Sequence, residues 1–590
     1  MKGSIIVVCI VLCLINITNG TIIHVPGDYP TIQQGLNAAS TGDTVLVAAG
    51  TYTENIFWPL INGIKLYSES GANVTIIDGD TVSTVIYLSG LADIDTTTVI
   101  RGFTIQNGYG DPYGGGIYLV NSSPKIENNT IRYNYATQLG GGICCIDTSL
   151  PLIINNTITM DSAGWGGGGV ACIDSSGPTI TGNTIITNWG GYGGGIYCAD
   201  SGCVITGNQI IDNTAGASGF AGDGGGIFCD GGSKPLIDGN RIANNSTVGG
   251  YHLGGGIYCG GNSKPLIVND TIIANSVDNG GGGIFCDGTD TLVISGCVID
   301  SNSAVMGTGG GIFCDNCHPI IAGNRISNNT AIGYTVLSGG GIYLDFSDAE
   351  ITGNTITANI SYTGAGIYCR WSDPKINHNV INANTAYRKG GGICCETYSN
   401  PQIRFNTITQ NDADSLGDGI YCLEGSFPVI DSNDIYNNGY GAYNADNSQM
   451  LMAENNWWGD STGPYHPGLN PTGLGDSTNI FVDPVPWLYE PVGVKEEIVK
   501  KLSAVNIIAK NNPNPFNQIT YIHYQCLEAS RVTIEVYNTL GQKITTLLNK
   551  IENPGEHSIK WDAYDLSAGV YFYRVTVGHY TSTRKCLLIK

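Results

Sequence analysis

The chain has 590 residues, 85 of them glycine, and a formal charge of −23. Residues 21–490 hold 41 of the 49 acidic side chains against 13 Lys and Arg, whereas residues 491–590 hold 8 against 12, so two segments with different tasks are expected. An acidic body argues against a nucleic-acid partner, since polyanions are held by basic surfaces.

The chain opens with Lys2, an apolar run from Ile5 to Ile15, and Thr18-Asn19-Gly20. This pattern reads as an export signal over residues 1–20. The run is short for a bilayer span, which leaves a membrane anchor as the alternative, and no later segment is apolar enough to cross. Ile32, Leu36 and Ala39 then recur at helical spacing after Pro30, predicting a short helix that caps the open end of a stacked β structure.

From Gly114 to Asn438 one motif recurs twelve times. It is GGGIYC at Gly193–Cys198 and Gly254–Cys259, GGGIFC at Gly224–Cys229, Gly281–Cys286 and Gly309–Cys314, and GGGICC at Gly140–Cys145 and Gly390–Cys395. Its apolar anchor stands at residues 117, 143, 170, 196, 227, 257, 284, 312, 342, 367, 393 and 420, with gaps of 25 to 31 residues. A fixed period in this range marks a solenoid. Each period carries two more short apolar runs, such as Pro235-Leu236-Ile237 and Asn354-Thr355-Ile356, separated by Gly, Asn, Asp and Ser. Three brief strands per turn, none long enough for a helix, predict a parallel β-helix of about thirteen turns over residues 21–490. These repeats resemble the right-handed parallel β-helix of the pectate-lyase-like superfamily, a resemblance that implies fold more than activity. The stretch Gly50-Thr51-Tyr52-Thr53-Glu54 also resembles one short pectin methylesterase motif, but the later esterase motifs are absent, so Glu54 reads as structural.

Three columns arise from the repeat. Cys145, Cys172, Cys198, Cys229, Cys259, Cys286, Cys314, Cys369, Cys395 and Cys422 stand two residues after the anchor, where Leu119 and Leu344 substitute, so they read as buried thiols in a straight column. Asn129, Asn156, Asn183, Asn208, Asn240, Asn324, Asn354, Asn379, Asn406 and Asn433 form a corner column, interrupted by Asp270 and Cys297, and read as a stacked folding device. Between anchor and cysteine, Tyr197, Phe228, Tyr258, Phe285, Phe313, Tyr343, Tyr368 and Tyr421 are expected to face outward. Loop length varies just before each glycine triplet, which marks one loop-bearing face.

Candidate chemistry sits on the outer column. Asp287, Asp315 and Asp345 fall at one position on consecutive turns, followed by Arg370 and Glu396. Carboxylates ~5 Å apart repel by ~3 kcal/mol per pair at an effective dielectric near 20. Calcium bridging Asp287, Asp315 and Asp345 is one relief, and Phe285, Phe313, Tyr343 and Tyr368 beside them are candidate sugar-binding rings. The alternative is an aromatic column stacking for stability, with solvated turn aspartates. In the lyases of the resembled superfamily a basic residue removes a proton beside calcium, a part Arg370 would take, although no family signature surrounds it.

Trp457, Trp458 and Trp487 read as a plug closing the solenoid, with a sugar-stacking site as the alternative. Residues 491–504 read as a linker. Beyond it, alternating strands between Thr520 and Ile589 predict a small β-sandwich over residues 505–590. Its motifs Pro513-Asn514-Pro515-Phe516, Gly541-Gln542 and Gly569-Val570-Tyr571-Phe572-Tyr573-Arg574 resemble the C-terminal sorting domain of the type IX secretion system. That resemblance implies the type IX machinery as a partner and display outside the outer membrane, with a permanent adhesion module as the alternative. The sequence therefore predicts an all-β, exported protein that binds an extracellular polysaccharide or surface glycan; the alternative is a polysaccharide lyase or hydrolase.

Overall fold

The computed structural model describes residues 20–90, 94–216, 222–288, 290–333, 338–493, 510–514, 516–526, 530–538, 543–553, 555–577 and 580–589. The export signal lies outside them, as does most of the linker.

Twelve turns of the solenoid contain four strands. In one turn Ile227–Asp230 lies in the first sheet, Leu236–Asp238 in the second, Arg241–Ala243 in the third and Ser246–Thr247 in the fourth. Each strand pairs in parallel with its counterpart one turn on, as Ile227 with Ile257, Ile237 with Ile267 and Ile242 with Ile272. The first three sheets have 17, 16 and 15 strands and the fourth 12. The second sheet counts sixteen turns rather than the thirteen expected, because irregular early turns from Ile22 onward stack in the same register. The fourth strand is not legible in the sequence because two residues carry no alternation.

Within each turn the anchor isoleucine, the cysteine two residues on, and one isoleucine from each of the second and third sheets point inward and are fully buried. The corners between these short strands hold polar ladders. At the second-to-third corner the backbone N–H and the Nδ2 of Asn156 both donate to Oδ1 of Asn183, at 2.8 and 3.1 Å, while the same Nδ2 donates to the Ile126 carbonyl of the preceding turn at 2.9 Å. A second ladder, not expected from the sequence, runs five residues later through Asn188, Asn213, Asn245, Asn275, Asn302, Asn329, Asn359, Asn384, Asn411 and Asn438. A third, of serines, bonds Ser347 to Ser372, Ser399 and Ser426 at the first-to-second corner. Buried corner amides that no sheet can pair are thereby satisfied.

The glycine triplet has a steric cause at each position. A Cβ on Gly224, which has φ +68°, would meet the Phe228 Cβ at 2.9 Å. On Gly225 it would lie 2.5 Å from the Gly255 carbonyl oxygen, and on Gly226 2.6 Å from that of Gly256 and 3.1 Å from the Asn245 amide. The triplet is the place where one turn lies backbone-to-backbone on the next.

Both ends are closed. Helix Ile32–Ala38 covers the first turn with Ile32 and Leu36, and Glu54 accepts from the backbone N–H groups of Ile32 and Gln33 at 2.8 and 2.9 Å. Glu54 thus holds the helix N-terminus. At the other end Asn456 takes the last rung of the ladder, Trp458 is buried, Trp487 packs against the core and Trp457 is half-buried. The C-terminal region is a two-sheet antiparallel sandwich. Lys510–Asn512, Ile519–Cys526 and Gly555–Asp562 form one sheet, and Lys543–Glu552, Ser530–Tyr537, Gly569–Val577 and Tyr580–Leu588 the other. Phe516, Trp561, Tyr571 and Tyr573 fill the space between them, and Cys526 and Cys586 are buried in the same core.

Asp270 breaks the first asparagine ladder. Its Oδ1 accepts from Asn240, but Oδ2 stands where the asparagine rungs place a donating amide, and it is buried without a partner. Burial pushes this carboxyl up to about 8, against the hydrogen bonds from Asn240. The folded state binds the proton more tightly than the unfolded chain, whose carboxyl titrates near ~4. Stability is therefore full below about pH 4 and falls as pH rises through about 8. Asp270→Asn is expected to raise stability at neutral pH by on the order of a few kcal/mol and to leave it unchanged near pH 4, measured by denaturant melts across pH. Gly226→Ala, by forcing a methyl against the Gly256 carbonyl, is expected to cost about 1–3 kcal/mol in the same assay.

Candidate functional site

The outer aromatic column is continuous. Ring centroids from Tyr197 through Phe228, Tyr258, Phe285, Phe313 and Tyr343 to Tyr368 succeed one another at 4.7 to 5.3 Å. It is not an open platform. Phe285 and Tyr343 are 2% exposed and Tyr368 0%, and only Phe313 of the four candidate rings is half-buried. The rings lie against the first glycine of each triplet, and at this end of the column Leu416 packs against their cluster. Tyr368 Oη donates to Glu396 Oε2 at 2.7 Å, Lys389 pairs with Glu396 Oε1 at 2.8 Å, and the same ammonium sits 4.8 Å from the Tyr421 ring centre. Phe285, Tyr343 and Tyr368 thus belong to a second, buried apolar layer, which fits the stacking alternative, and Phe313 is half-buried beside them.

Asp287, Asp315 and Asp345 lie in register on three consecutive strands of the first sheet, with Arg370 and Glu396 on the next two. Arg370 Nη1 donates to Asp345 Oδ2 at 3.0 Å, and Asp345 Oδ1 is buried without a partner. Burial first, then the charges of Asp345 and Asp287, raises Asp315 to about 6 despite Arg370. Burial raises Asp287 and Asp345 as well. Arg370, although partial burial works against its charge, is pushed up by Asp345, so it is a fixed cation and not a base. The three carboxylates do not converge on one point. Among the described residues the one set of three or more His, Cys, Asp or Glu with ligand atoms within 4.8 Å of one another is Cys172, Cys198 and Cys203. In this structure Asp287, Asp315 and Asp345 do not form such a set, and their repulsion is eased by Arg370 beside Asp345 and by the raised affinity of the carboxyls for protons. His318 is exposed and its Nδ1 accepts from the Asp348 N–H at 3.2 Å, and the half-buried His378 ring stacks on Phe405 at 5.1 Å.

The exposed rings stand one corner further on. The residue four after each anchor has positive φ in all twelve turns. Eight turns fill this slot with Asn121, Asp147, Asp174, Asp200, Gly231, Gly261, Gly288 or Asn316, residue types that tolerate the left-handed region. The turns at Phe346 and Trp371 place large rings there, at φ 47° and 49°, and the next turn places Tyr398 one residue later at φ 59°. These three are 53%, 38% and 62% exposed. Phe346 and Trp371 stack at 5.8 Å and 7°, and Trp371 and Tyr398 at 5.3 Å and 26°. Each backbone is pinned by a bond to the following turn, from Phe346 to Arg370, Trp371 to Thr397 and Tyr398 to Glu424. A bulky ring at positive φ costs on the order of 1–3 kcal/mol and is an outlier that asks for a functional reason. Asp348, Asp373 and Asn400 lie exposed two residues beyond these rings and bond in series, Asp373 N–H to Asp348 and Asn400 N–H to Asp373. The signal was present in the sequence as aromatics in a slot that eight of the twelve turns fill with Asn, Asp or Gly.

Family comparisons agree with this architecture. Residues 36–262 match the model described as periplasmic copper-binding protein (NosD), and residues 218–341 and 321–464 match the right-handed β-helix region. Residues 512–590 match the secretion-system C-terminal sorting domain. The chain is a right-handed β-helix protein with a C-terminal sorting domain. It is secreted and sorted to the cell surface by that domain, which implies the type IX machinery as its partner in export. Within the sorting domain Asn514 of the Pro513–Phe516 motif accepts from the Leu587 N–H at 2.9 Å, tying the motif to the last strand, and Phe516 packs on Trp561 at 5.2 Å. No curated protein matches. Among solved structures, a PL6 family alginate lyase, AlyGC, aligns over 80% of this chain and 100% of its own at 10% identity, but with a TM-score of 0.19 it carries no argument. No helix among the described residues is long and apolar enough to cross a membrane.

The raised carboxyl of Asp315 binds its proton more tightly folded than unfolded, so its contribution is present below about pH 4 and lost as pH rises through about 6. Asp315→Asn is expected to raise the melting temperature at pH 7.5 and leave it unchanged at pH 4. Calorimetry with and without millimolar calcium checks the bridging reading separately: a calcium-dependent rise in wild type that the variant lacks would restore it.

Proposed function

We propose that this secreted β-helix protein binds an extracellular polysaccharide at the cell surface, along the ladder Phe346–Trp371–Tyr398. The observation that supports the reading is the placement of three exposed, stacked rings on consecutive turns, two of them in a strained slot that most turns fill with Asn, Asp or Gly. The exposed surface of these rings, spaced about 5–6 Å apart, suits the apolar C–H groups of successive sugar units, and neighbouring Asp348, Asp373 and Asn400 suit their hydroxyls. A chain of charge −23 favours a neutral glycan over a uronate polymer. The proton-transfer groups a lyase or hydrolase needs are not assembled by Arg370, which is held as a cation. Glycan binding is proposed as the function, and catalysis stays the alternative.

Replacing a strained aromatic by a residue suited to positive φ separates function from folding. Trp371→Asn is expected to lower affinity for a neutral polysaccharide about tenfold, from the loss of one stacked ring. Its melting temperature should be unchanged or higher, since strain is relieved. Affinity electrophoresis on neutral and acidic polysaccharides, with calorimetric melts, checks both. Undiminished binding by the variant would overturn the site, and release of new sugar ends by wild type would favour the lyase or hydrolase reading.

A further inference from the structure

We infer that Cys198 and Cys203 are joined in the exported protein as a disulfide that closes one corner of the solenoid. Their sulfurs stand 3.2 Å apart, both fully buried in the main core. The place of Cys203 in the repeat is unusual. Two residues before the core isoleucine of the second sheet, the flanking turns carry Pro178 and Pro235, and Pro124, Pro151, Pro265, Pro319, Pro374, Pro401 and Pro428 occupy the same slot elsewhere. A proline there fixes the corner dihedral. Cys203 gives up that constraint and aims a thiol at the cysteine column, beside Cys172 and Cys198.

Geometry selects the pair. Cys172 and Cys198 are in-register partners on adjacent parallel strands, so their Cβ directions run side by side at the ~4.8 Å strand spacing. A disulfide prefers Cβ atoms about 3.8 Å apart and turned toward each other. Cys203 approaches Cys198 from across the corner, which a straight column cannot do. Charge decides between a disulfide and a trithiolate metal site. A soft cation would need thiolate ligands and leave net negative charge among apolar side chains. A disulfide is neutral. The sorting domain sends the chain to a compartment where disulfides persist.

The oxidant is a small-molecule or protein disulfide met during export. The two thiol S–H bonds and the oxidant S–S bond break, the Cys198 Sγ–Cys203 Sγ bond forms, and the oxidant leaves as two thiols carrying both protons and the electron pair. Cys172 stays a thiol.

Protein from the culture medium, unfolded without reductant and alkylated, is cleaved before Asp200, which separates the two cysteines. The expected result is one linked pair of unalkylated peptides holding Cys198 and Cys203, with Cys172 alkylated. A thiol reductant should lower the wild-type melting temperature by a few degrees and that of Cys172→Ala equally. Cys203→Pro, which restores the residue of the flanking turns, should fold and show no such drop. Complete alkylation of Cys198 and Cys203, a Cys172–Cys198 link, or a soft metal ion recovered in proportion to protein would each overturn the assignment.

Discussion

The structure depends on buried amides passing hydrogen bonds from turn to turn. Strands of three or four residues leave corner N–H and C=O groups inside the solenoid, where an unmet group costs about 1–3 kcal/mol. The asparagine rungs meet these needs together. One Oδ1 receives a backbone N–H and a side-chain amide from the preceding turn, and one Nδ2 reaches a carbonyl in that turn. A slip by one residue would leave both asparagine ladders and the serine ladder unmatched and turn the isoleucines outward. Register is thus specified several times over.

Fixed register turns sequence position into a column on or within the molecule. Inside, the columns are isoleucine and cysteine; at the triplet they are glycine because backbones touch. On the outer face of the first sheet they become aromatic rings and acids, and each column carries its own electrostatic consequence. Burial, and like charges that the stacked backbone keeps together, make Asp315 take up a proton more readily, and Asp345 draws in Arg370. Where an aspartate enters an amide ladder, as at Asp270, burial of a carboxylate oxygen without a partner makes it a proton-holding group.

The same over-specification allows local departures. With the backbone at the fourth position after each anchor held left-handed by cross-turn bonds, Phe346 and Trp371 can occupy it at a strain a less constrained loop would relax. Cys203 likewise replaces a proline without loss of the corner. Both departures lie where the repeat is otherwise most regular, which is where a change of residue type carries most information.

The fold class was legible because the glycine triplet, the anchor and the first asparagine column recur at a nearly constant period, and each has a local physical cause. The sorting domain was legible because its motifs fall in order. The second asparagine ladder was also written in the sequence, five residues behind the first, but inside strands read as alternating Thr and Ile. Alternation correctly placed Phe285, Phe313, Tyr343 and Tyr368 on the outer side of the first sheet and Asp287, Asp315 and Asp345 beside them. It could not show that Phe285, Tyr343 and Tyr368 are buried, because burial depends on what the neighbouring turns lay against them, as Leu416 does in the cluster of Tyr343, Tyr368 and Tyr421. Nor could it show that Arg370 pairs with Asp345, since that depends on how the side chains of neighbouring turns meet. The sequence by itself determined the period, the residues facing inward and the two-domain plan, because these rest on local sterics and alternation. Only the tertiary structure decided which outward rings remain exposed and which thiol meets which, because both depend on how one turn's corner lies against its neighbours.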